Sequence, residues 1–121
     1  LRLWGRALER LHEDKETGMI VTALTLQDIH ECNADDEAVS GISNFLNGLD
    51  QAAHKAILVL TQTAPDVIKG SLRTTHPLID VTEFAKLYGG GGHKKAAGFT
   101  MSGNLEITPT GYVIHPTTQS H

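Results

Sequence analysis

The spacing of apolar side chains in the first third of the chain predicts two helices with a strand between them. Residues 1–13 carry Leu and Trp side chains three and four positions apart, with arginines between them, which predicts a leading amphipathic helix. Residues 19–25 form an apolar, β-branched run and predict the first strand. A short helix that begins at Thr25 or Gln27 is expected to end at the polar break of residues 33–35.

The middle of the chain predicts a capped helix followed by a β-hairpin. Asp35 is a good N-cap and Gly48 a good C-cap. One helical face is formed by Val39, Ile42, Phe45, Leu46 and Leu49. Residues 54–63 contain a continuous apolar run, as in a strand that is buried on both faces. After a turn at residues 64–66, residues 67–74 are expected to return as the second strand.

The last third predicts a helix and further strands. Asp80 and Glu83 resemble a capping box, with Thr82 as the alternative cap, and the helix is expected to end at Gly89. A second capped helix or turn is expected to open at residues 92–93. Further predictions are a strand at residues 99–101, a turn at 102–104 and a last edge strand at 113–114; residues 105–121 are otherwise poorly legible. These elements predict a single α/β domain over residues 1–121, with a mixed β-sheet of about four or five strands flanked by helices.

The composition narrows the range of partners. The chain has 121 residues, of which 40% are hydrophobic and 20% charged, and its net charge is −4. This charge excludes a protein that holds nucleic acid by bulk positive charge, so any nucleic-acid site must be local. Cys32 is the only cysteine, which favours a cytoplasmic location, and no apolar run is long enough for a membrane span. The chain opens at Leu1 without methionine, which indicates a fragment of a longer protein.

The most distinctive stretch is Gly-Gly-Gly-Gly-His-Lys-Lys at residues 89–95. Glycines are unfavourable inside a helix or strand, by about 0.5–1 kcal/mol each relative to alanine. Their amides can instead turn inward together as a concave nest that binds an anion. The spacing fits neither a Walker A loop nor Gly-x-Gly-x-x-Gly. We therefore expect a phosphate site; a flexible linker is the alternative, although glycine linkers are usually mixed with serine.

This stretch resembles the glycine-histidine signature of the DHH phosphoesterases, specifically of their DHH-associated C-terminal domain. The likeness covers roughly residues 1–101. Besides the loop it includes residues 3–8, 35–46, 70–74, 81–85 and 96–99. The upstream segments resemble the RecJ-like and oligoribonuclease-like members of that family.

The resemblance implies a substrate-binding domain of a metal-dependent phosphoesterase or exonuclease. The implied substrates are short oligonucleotides, cyclic dinucleotides or a nucleoside bisphosphate such as 3′-phosphoadenosine 5′-phosphate. The family places Asp and His ligands for two Mn²⁺ ions in an N-terminal DHH domain, and no Asp-His-His motif occurs in this sequence. We therefore expect neither a catalytic residue nor a metal or cofactor site in this chain. Its expected partners are the DHH catalytic domain of the same polypeptide, the nucleotide substrate and, as a further option, a second copy in a homodimer. The implied substrate-binding residues are Ser71, Arg73, Thr74, Gly90, Gly91, Gly92, His93 and Lys94.

Several of these residues also have ordinary explanations. A guanidinium at Arg73, beside hydroxyl side chains, suits a bidentate phosphate contact or a solvated charge. Lys94 and Lys95 would both follow the loop, but adjacent residues on a helix cannot face one ligand. His30 and Cys32 lack a second pair at metal-ligand spacing.

Two other functions fit the sequence. One is a stand-alone module that binds RNA or a nucleic-acid single strand, against which the few aromatic side chains argue. The other is a dimerisation domain without a ligand, in which the glycines only permit close packing.

Overall fold

The fold is built on one large mixed sheet. The structure, a computed structural model, describes residues 2–48 and 55–117, except for the side chain of Asp36. The elements in these ranges are α1 (Arg2–Glu9), β1 (His12–Glu13), β2 (Ile20–Leu24), α2 (Leu26–Glu31), α3 (Asp36–Asn47), β3 (Ala56–Ala64), β4 (Val67–Thr74), α4 (Thr82–Lys86), β5 (Gly91–His93), β6 (Ala96–Ser102), β7 (Asn104–Thr108) and β8 (Gly111–His115). Six strands form a sheet in the order β1-β2-β3-β4-β6-β5, and β7 and β8 form a separate hairpin. The predicted α/β class with a mixed sheet is confirmed, with more strands than the four or five expected.

Apolar side chains cover the two faces of the sheet with different elements. β2 and β3 are parallel, and the other pairs in the sheet are antiparallel. On one face, which we call the α1–α3 face, Ile20, Ile57 and Val59 pack with Leu3, Ile42 and other residues of the first three helices. On the other, the α4 face, the strands pack against α4 and the β7–β8 hairpin. The side chains there include Leu58, Leu72, Ala97, Phe99, Val81, Ala85, Leu105 and Tyr112.

Several predicted boundaries are confirmed because local chemistry determines them. The side chain of Asp35 accepts a hydrogen bond from the Ala38 amide at the start of α3, and Gly48 caps its end. Thr25 caps α2 in a full capping box with Asp28. β4 covers residues 67–74 as predicted, and seven successive residues of β3 are buried. Leu49 and His54, at the ends of the predicted elements, lie outside the described residues.

Other predictions are wrong in an informative way. The leading helix was predicted over residues 1–13 but ends at Glu9, and His12–Glu13 pairs with β2 as an edge strand. Val81 occupies the N-cap position of α4 without a side-chain bond, so neither predicted cap applies. Asp80 instead accepts hydrogen bonds from the amide and the hydroxyl of Thr82. The poorly legible C-terminal region forms a complete hairpin through residue 115.

Asp28, on α2, ties the first helix to the second. Its carboxylate is 3% exposed and accepts hydrogen bonds from Arg6 at 2.8 Å, from Arg10 and from the Thr25 amide at 2.8 Å. Burial alone raises the pKa of Asp28, but the bonds from Arg10, Thr25 and Arg6 outweigh burial and hold the pKa well below its usual range. The ionised carboxylate therefore contributes to stability at neutral pH.

Candidate functional site

The glycine stretch forms an edge strand instead of a free loop. Residues 91–93 pair antiparallel with β6, in the register Gly91↔Gly98, Gly92↔Ala97 and His93↔Ala96. The capped helix predicted to open at residues 92–93 is therefore wrong, whereas a turn does follow His93, at residues 94–95. Because β5 is the last strand of the sheet, the backbone groups on its outer side have no partner strand in the part of the chain that the structure describes. The glycines therefore form an exposed strand edge and not a closed nest.

The register of three strands brings four of the predicted site residues onto one surface. Residues that are directly paired across an antiparallel sheet point to the same face. β4 pairs with β6 as Ser71↔Gly98 and Arg73↔Ala96, and β6 pairs in turn with Gly91 and His93. Ser71, Arg73, Gly91 and His93 therefore lie on the α1–α3 face.

The apolar core beneath α1–α3 does not extend over this part of the α1–α3 face. It has no described member from β4, β5 or β6, although α3 contacts β4. We call this surface the open face; it consists of Lys69, Ser71, Arg73, Gly91, His93, Ala96, Gly98 and Thr100. Helix α3, which contacts β3 and β4, borders it on one side, and the free edge of β5 borders it on the other.

Rows across the open face differ sharply in side-chain size. The row Ser71–Gly98–Gly91 carries nothing larger than a hydroxymethyl group. The neighbouring row, Arg73–Ala96–His93, has a cationic side chain on one outer strand and an imidazole on the other. Standard strand geometry places adjacent rows about 6.7 Å apart along the strands. It places β4 and β5, which lie on either side of β6, about 10 Å apart. A ligand can thus approach the backbone over the first row while the second row contacts its charged end.

Three of the other four predicted site residues lie behind this surface, and Lys94 lies in the turn after β5. Thr74 is 2% exposed, and its hydroxyl donates to the Lys55 carbonyl at 3.0 Å, so it holds the sheet together. Gly92 alternates with its neighbours and faces Ala97 on the α4 face. Gly90 precedes β5, donates its amide to the Ala85 carbonyl at 2.9 Å and packs on Phe99. These three residues support the strands of the open face through contacts on the opposite side of the sheet.

The glycines have distinct tasks. A Cβ on Gly90 would lie 2.1 Å from the Gly98 carbonyl oxygen and 2.7 Å from the Phe99 Cβ, so only glycine fits. Gly92 has φ = 145°, and a Cβ there would lie 2.6 Å from the Ala96 carbonyl oxygen. Gly91 has neither a positive φ nor any atom near its Cβ position. The backbone therefore excludes alanine at Gly92 but not at Gly91.

The two lysines form the turn between β5 and β6 and differ in their contacts. The ammonium group of Lys95 donates to the His76 and Ile79 carbonyls. The backbone carbonyls of Lys94 and Lys95 accept from the Val81 and Thr74 amides, which fixes the tip of the hairpin. The side chain of Lys94 is exposed. The pKa of Asp80 is lowered chiefly by the hydrogen bond from the Thr82 side chain, and the positive charge of the nearby Lys94 lowers it further.

The strands that form the open face carry basic side chains and no acidic ones. Strands β4, β5 and β6 contain no Asp or Glu, although the chain as a whole carries a net charge of −4. The guanidinium of Arg73 donates to the Leu72 carbonyl at 3.0 Å. Within residues 2–48 and 55–117, no carboxylate lies within ion-pair distance of Arg73. A guanidinium with most of its donors unused is suited to a phosphate.

Four residues of the open face were not among the predicted site residues: Lys69, Ala96, Gly98 and Thr100, of which Lys69 and Thr100 carry polar side chains. Lys69 and Thr100 are paired with each other and are exposed, on the side of the small row opposite Arg73. The period-2 alternation along residues 67–74 was a signal for Lys69, since positions 69, 71 and 73 share one face of a strand. Thr100 required the pairing of β6 with β4, which no local pattern specifies.

Other concavities and sites lie away from this surface. Concavities of about 490 Å³ and about 450 Å³ are lined by residues of α1, β1 and the β7–β8 turn, and by residues between β1, β3 and α4. In the part of the chain that the structure describes, His, Cys, Asp and Glu side chains form no group of three that could hold a metal ion. No described helix combines the length and the apolar character that a membrane crossing requires.

Comparison with known proteins identifies the family. The sequence profile of the DHHA1 domain matches residues 16–108, which is most of the chain. The chain therefore belongs to the DHHA1 domain family, as the glycine-histidine stretch indicated.

The individual relatives extend this identification. A segment of 32 residues is 59% identical to oligoribonuclease NrnB of Bacillus subtilis, covering 26% of this chain and 8% of that protein. The fold is similar to an exopolyphosphatase-related protein from Bacteroides fragilis (TM-score 0.66, 22% identity, 81% of this chain and 28% of the other). It is also similar to the pGpG-specific phosphodiesterase PggH from Vibrio cholerae (TM-score 0.52, 11% identity, 83% of this chain and 32% of the other). The chain thus spans less than a third of the length of each relative.

Proposed function

We propose that this domain holds the phosphate end of a nucleotide on its open face and presents the neighbouring ester bond to a DHH catalytic domain of the same polypeptide. The observation that carries the proposal is the row Arg73–Ala96–His93, which lies on three strands without a carboxylate. The substrate class would be short oligonucleotides, cyclic dinucleotides or nucleoside bisphosphates. Two similar proteins, an oligoribonuclease and a pGpG-specific phosphodiesterase, support this class.

Each group on the open face would have a definite task. The Arg73 guanidinium would bind two phosphate oxygens through its planar fork. His93, on the edge strand about 10 Å away across the sheet, would contact the same phosphate from the other side. The small row Ser71–Gly98–Gly91 would let the sugar-phosphate backbone come close to the sheet, where the Ser71 hydroxyl and the outward amides of β5 donate hydrogen bonds.

The hydrolytic chemistry would reside in the partner domain. The Asp and His side chains of that domain would hold two Mn²⁺ ions, which would supply metal-assisted hydrolysis. The domain described here would contribute positioning, which lowers the barrier by holding the reacting bond in place. We accordingly propose that the 121-residue chain by itself does not hydrolyse nucleotides.

The expected affinity is low. Hydrogen bonds to charged groups contribute about 1.5–3 kcal/mol each, and the cost of association removes much of the sum. Two or three such bonds correspond to a Kd of about 0.1–10 mM for a nucleoside bisphosphate.

Thermal stabilisation tests the proposal. Adenosine 3′,5′-bisphosphate at about 10 mM should raise the melting temperature of the chain, because a ligand that binds only the folded state stabilises it. Arg73→Ala should abolish most of the rise, whereas Lys15→Ala, an exposed lysine outside the three strands, should leave it intact. The proposal fails if the wild-type chain shows no rise or if Arg73→Ala shows the full one; the first result would favour a dimerisation domain without a ligand.

A further inference from the structure

The open face continues beyond the phosphate site just described. Lys69 lies on β4 four residues before Arg73 and on the same face, and its partner on β6 is Thr100. Both side chains are exposed. Neither is needed to hold a terminal phosphate at Arg73 and His93, and the small row Ser71–Gly98–Gly91 lies between the two positions.

The distance along β4 separates the two cations into two sites. Four residues of strand correspond to about 13 Å. One phosphate, with its oxygens about 3 Å from a donor on each side, bridges charged ends that are at most about 8–9 Å apart. The side chains of Arg73 and His93 need to lean together by only about 1–2 Å to share one phosphate. Those of Lys69 and Arg73 would have to lean by about 4–5 Å away from the perpendicular direction that a sheet favours. A second anionic group of the same ligand can reach Lys69 only if the ligand extends along the strand.

We propose that Lys69 and Thr100 form a second phosphate subsite, which makes the open face a track for a short single-stranded oligonucleotide rather than a pocket for one nucleotide. Charge complementarity supports this occupant: the only charged side chains of β4, β5 and β6 at neutral pH are Lys69 and Arg73, and both are cationic. Each phosphate of an oligonucleotide carries one negative charge. An oligonucleotide that lies along β4 therefore gains binding energy from both Lys69 and Arg73. The inference rests on the proposed function of the Arg73 end.

The small middle row fits this reading. One sugar cannot span the distance of about 13 Å between the two cationic positions. Gly98 and Gly91 leave room for the stretch of backbone, two sugars with a phosphate between them, that would join the phosphates bound there. Aromatic stacking has no part in this subsite, because the open face carries no aromatic side chain besides the His93 imidazole. The subsite would therefore read the backbone and the length of the ligand, and not its base sequence.

Binding measurements with two ligands test the inference. The 121-residue chain would be titrated with adenosine 3′,5′-bisphosphate and with a ribotetranucleotide that carries phosphates at both ends. We expect the tetranucleotide to bind at least about tenfold more tightly, with a salt dependence steeper by about one counterion. Lys69→Ala should weaken the tetranucleotide by about three- to tenfold and remove that extra salt dependence, while the Kd of the bisphosphate stays within twofold.

Matched variants and the possible failures separate this inference from the proposed function. Lys69→Arg should retain tetranucleotide binding, and Lys15→Ala should change neither affinity. If the bisphosphate binds but the tetranucleotide binds no more tightly, or if Lys69→Ala weakens both ligands equally, the second subsite is wrong while the site at Arg73 stands. If neither ligand binds the wild-type chain, both proposals are wrong.

Discussion

Arg73 and His93 lie in one row across the sheet, on the same face, with only the methyl group of Ala96 between them. The two residues are far apart in sequence, and β4 and β5 do not contact each other directly. β6 joins them by pairing with β4 on one side and with β5 on the other. The site therefore depends on the register of three strands, and changes that shift this register should affect binding before they affect the overall fold.

Replacing adjacent glycines should separate folding from binding. Gly90→Ala places a Cβ 2.1 Å from the Gly98 carbonyl oxygen, and we expect it to lower the free energy of unfolding by about 2–3 kcal/mol. Gly91→Ala meets nothing within 4 Å and should change stability by less than about 0.5 kcal/mol. Its added methyl lies on the open face, so it should still weaken nucleotide binding. Urea unfolding and ligand titration of both variants check this, and equal stability losses would contradict the assigned close approach.

The two lysines of the turn should respond oppositely to truncation. Lys95→Ala removes two hydrogen bonds to the His76 and Ile79 carbonyls and should cost about 0.5–1.5 kcal/mol of stability, since the group is exposed. Lys94→Ala should leave the melting temperature unchanged and weaken phosphate binding by about two- to threefold. Thermal unfolding with and without adenosine 3′,5′-bisphosphate compares them. A larger stability loss for Lys94→Ala than for Lys95→Ala would show that the assigned contacts are wrong.

Asp28 should make the domain sensitive to acid. Its pKa in the folded state is lowered, so its contribution to stability is present above the unfolded-state value of about 3.9 and is lost as pH falls below it. Asp28→Asn should cost about 2–4 kcal/mol at pH 7, because two arginines lose their ionised partner, and the difference from wild type should shrink below pH 4. Urea unfolding at pH 7, 5 and 3.5 measures this.

Asp35→Asn is the matched control for that series. Asparagine caps a helix about as well as aspartate, so the variant should lose less than about 0.5 kcal/mol at pH 7. An Asp28→Asn penalty that is as small, or that stays constant down to pH 3.5, would rule out the ionised carboxylate as the source of the stability.

The histidine on the edge strand should contribute to ligand binding. His93 lies in one row with Arg73 and on the same face of the sheet. We expect His93→Gln to weaken the binding of adenosine 3′,5′-bisphosphate by about three- to tenfold, because the phosphate loses a hydrogen-bond partner. A His93→Gln variant that binds with the wild-type Kd would contradict a contact between His93 and the phosphate.

The sequence predicted those parts of the fold that local chemistry determines. Asp35 and Gly48 bound α3 because caps act within one turn, and residues 67–74 were predicted as a strand because they return after the turn at residues 64–66. Local reasoning failed for residues 91–93, where glycines that disfavour a strand by themselves are held in one by β6. Tertiary pairing outweighed local propensity there. Of the hairpin at residues 104–115, the sequence predicted only a strand at residues 113–114, since both strands are short and half-exposed.

The site was predicted in part by resemblance and in part by spacing. The resemblance supplied Ser71, Arg73, Gly91 and His93, and the register places them on one face. It also supplied Thr74, whose buried hydroxyl bonds to Lys55 instead. Which side chains share a face follows from strand alternation, but which strands are neighbours does not, so Thr100 had no sequence signal.

Chemical-shift mapping tests the central proposal most directly. The ¹⁵N-labelled 121-residue chain would be titrated with adenosine 3′,5′-bisphosphate at pH 6. We expect the amides of residues 71, 73, 91–94, 96 and 98 to shift most, with a Kd of about 0.1–10 mM, and Arg73→Ala to suppress these shifts. Shifts centred instead on the concavity beside α4, or on exposed lysines such as Lys15, would contradict phosphate binding on the open face.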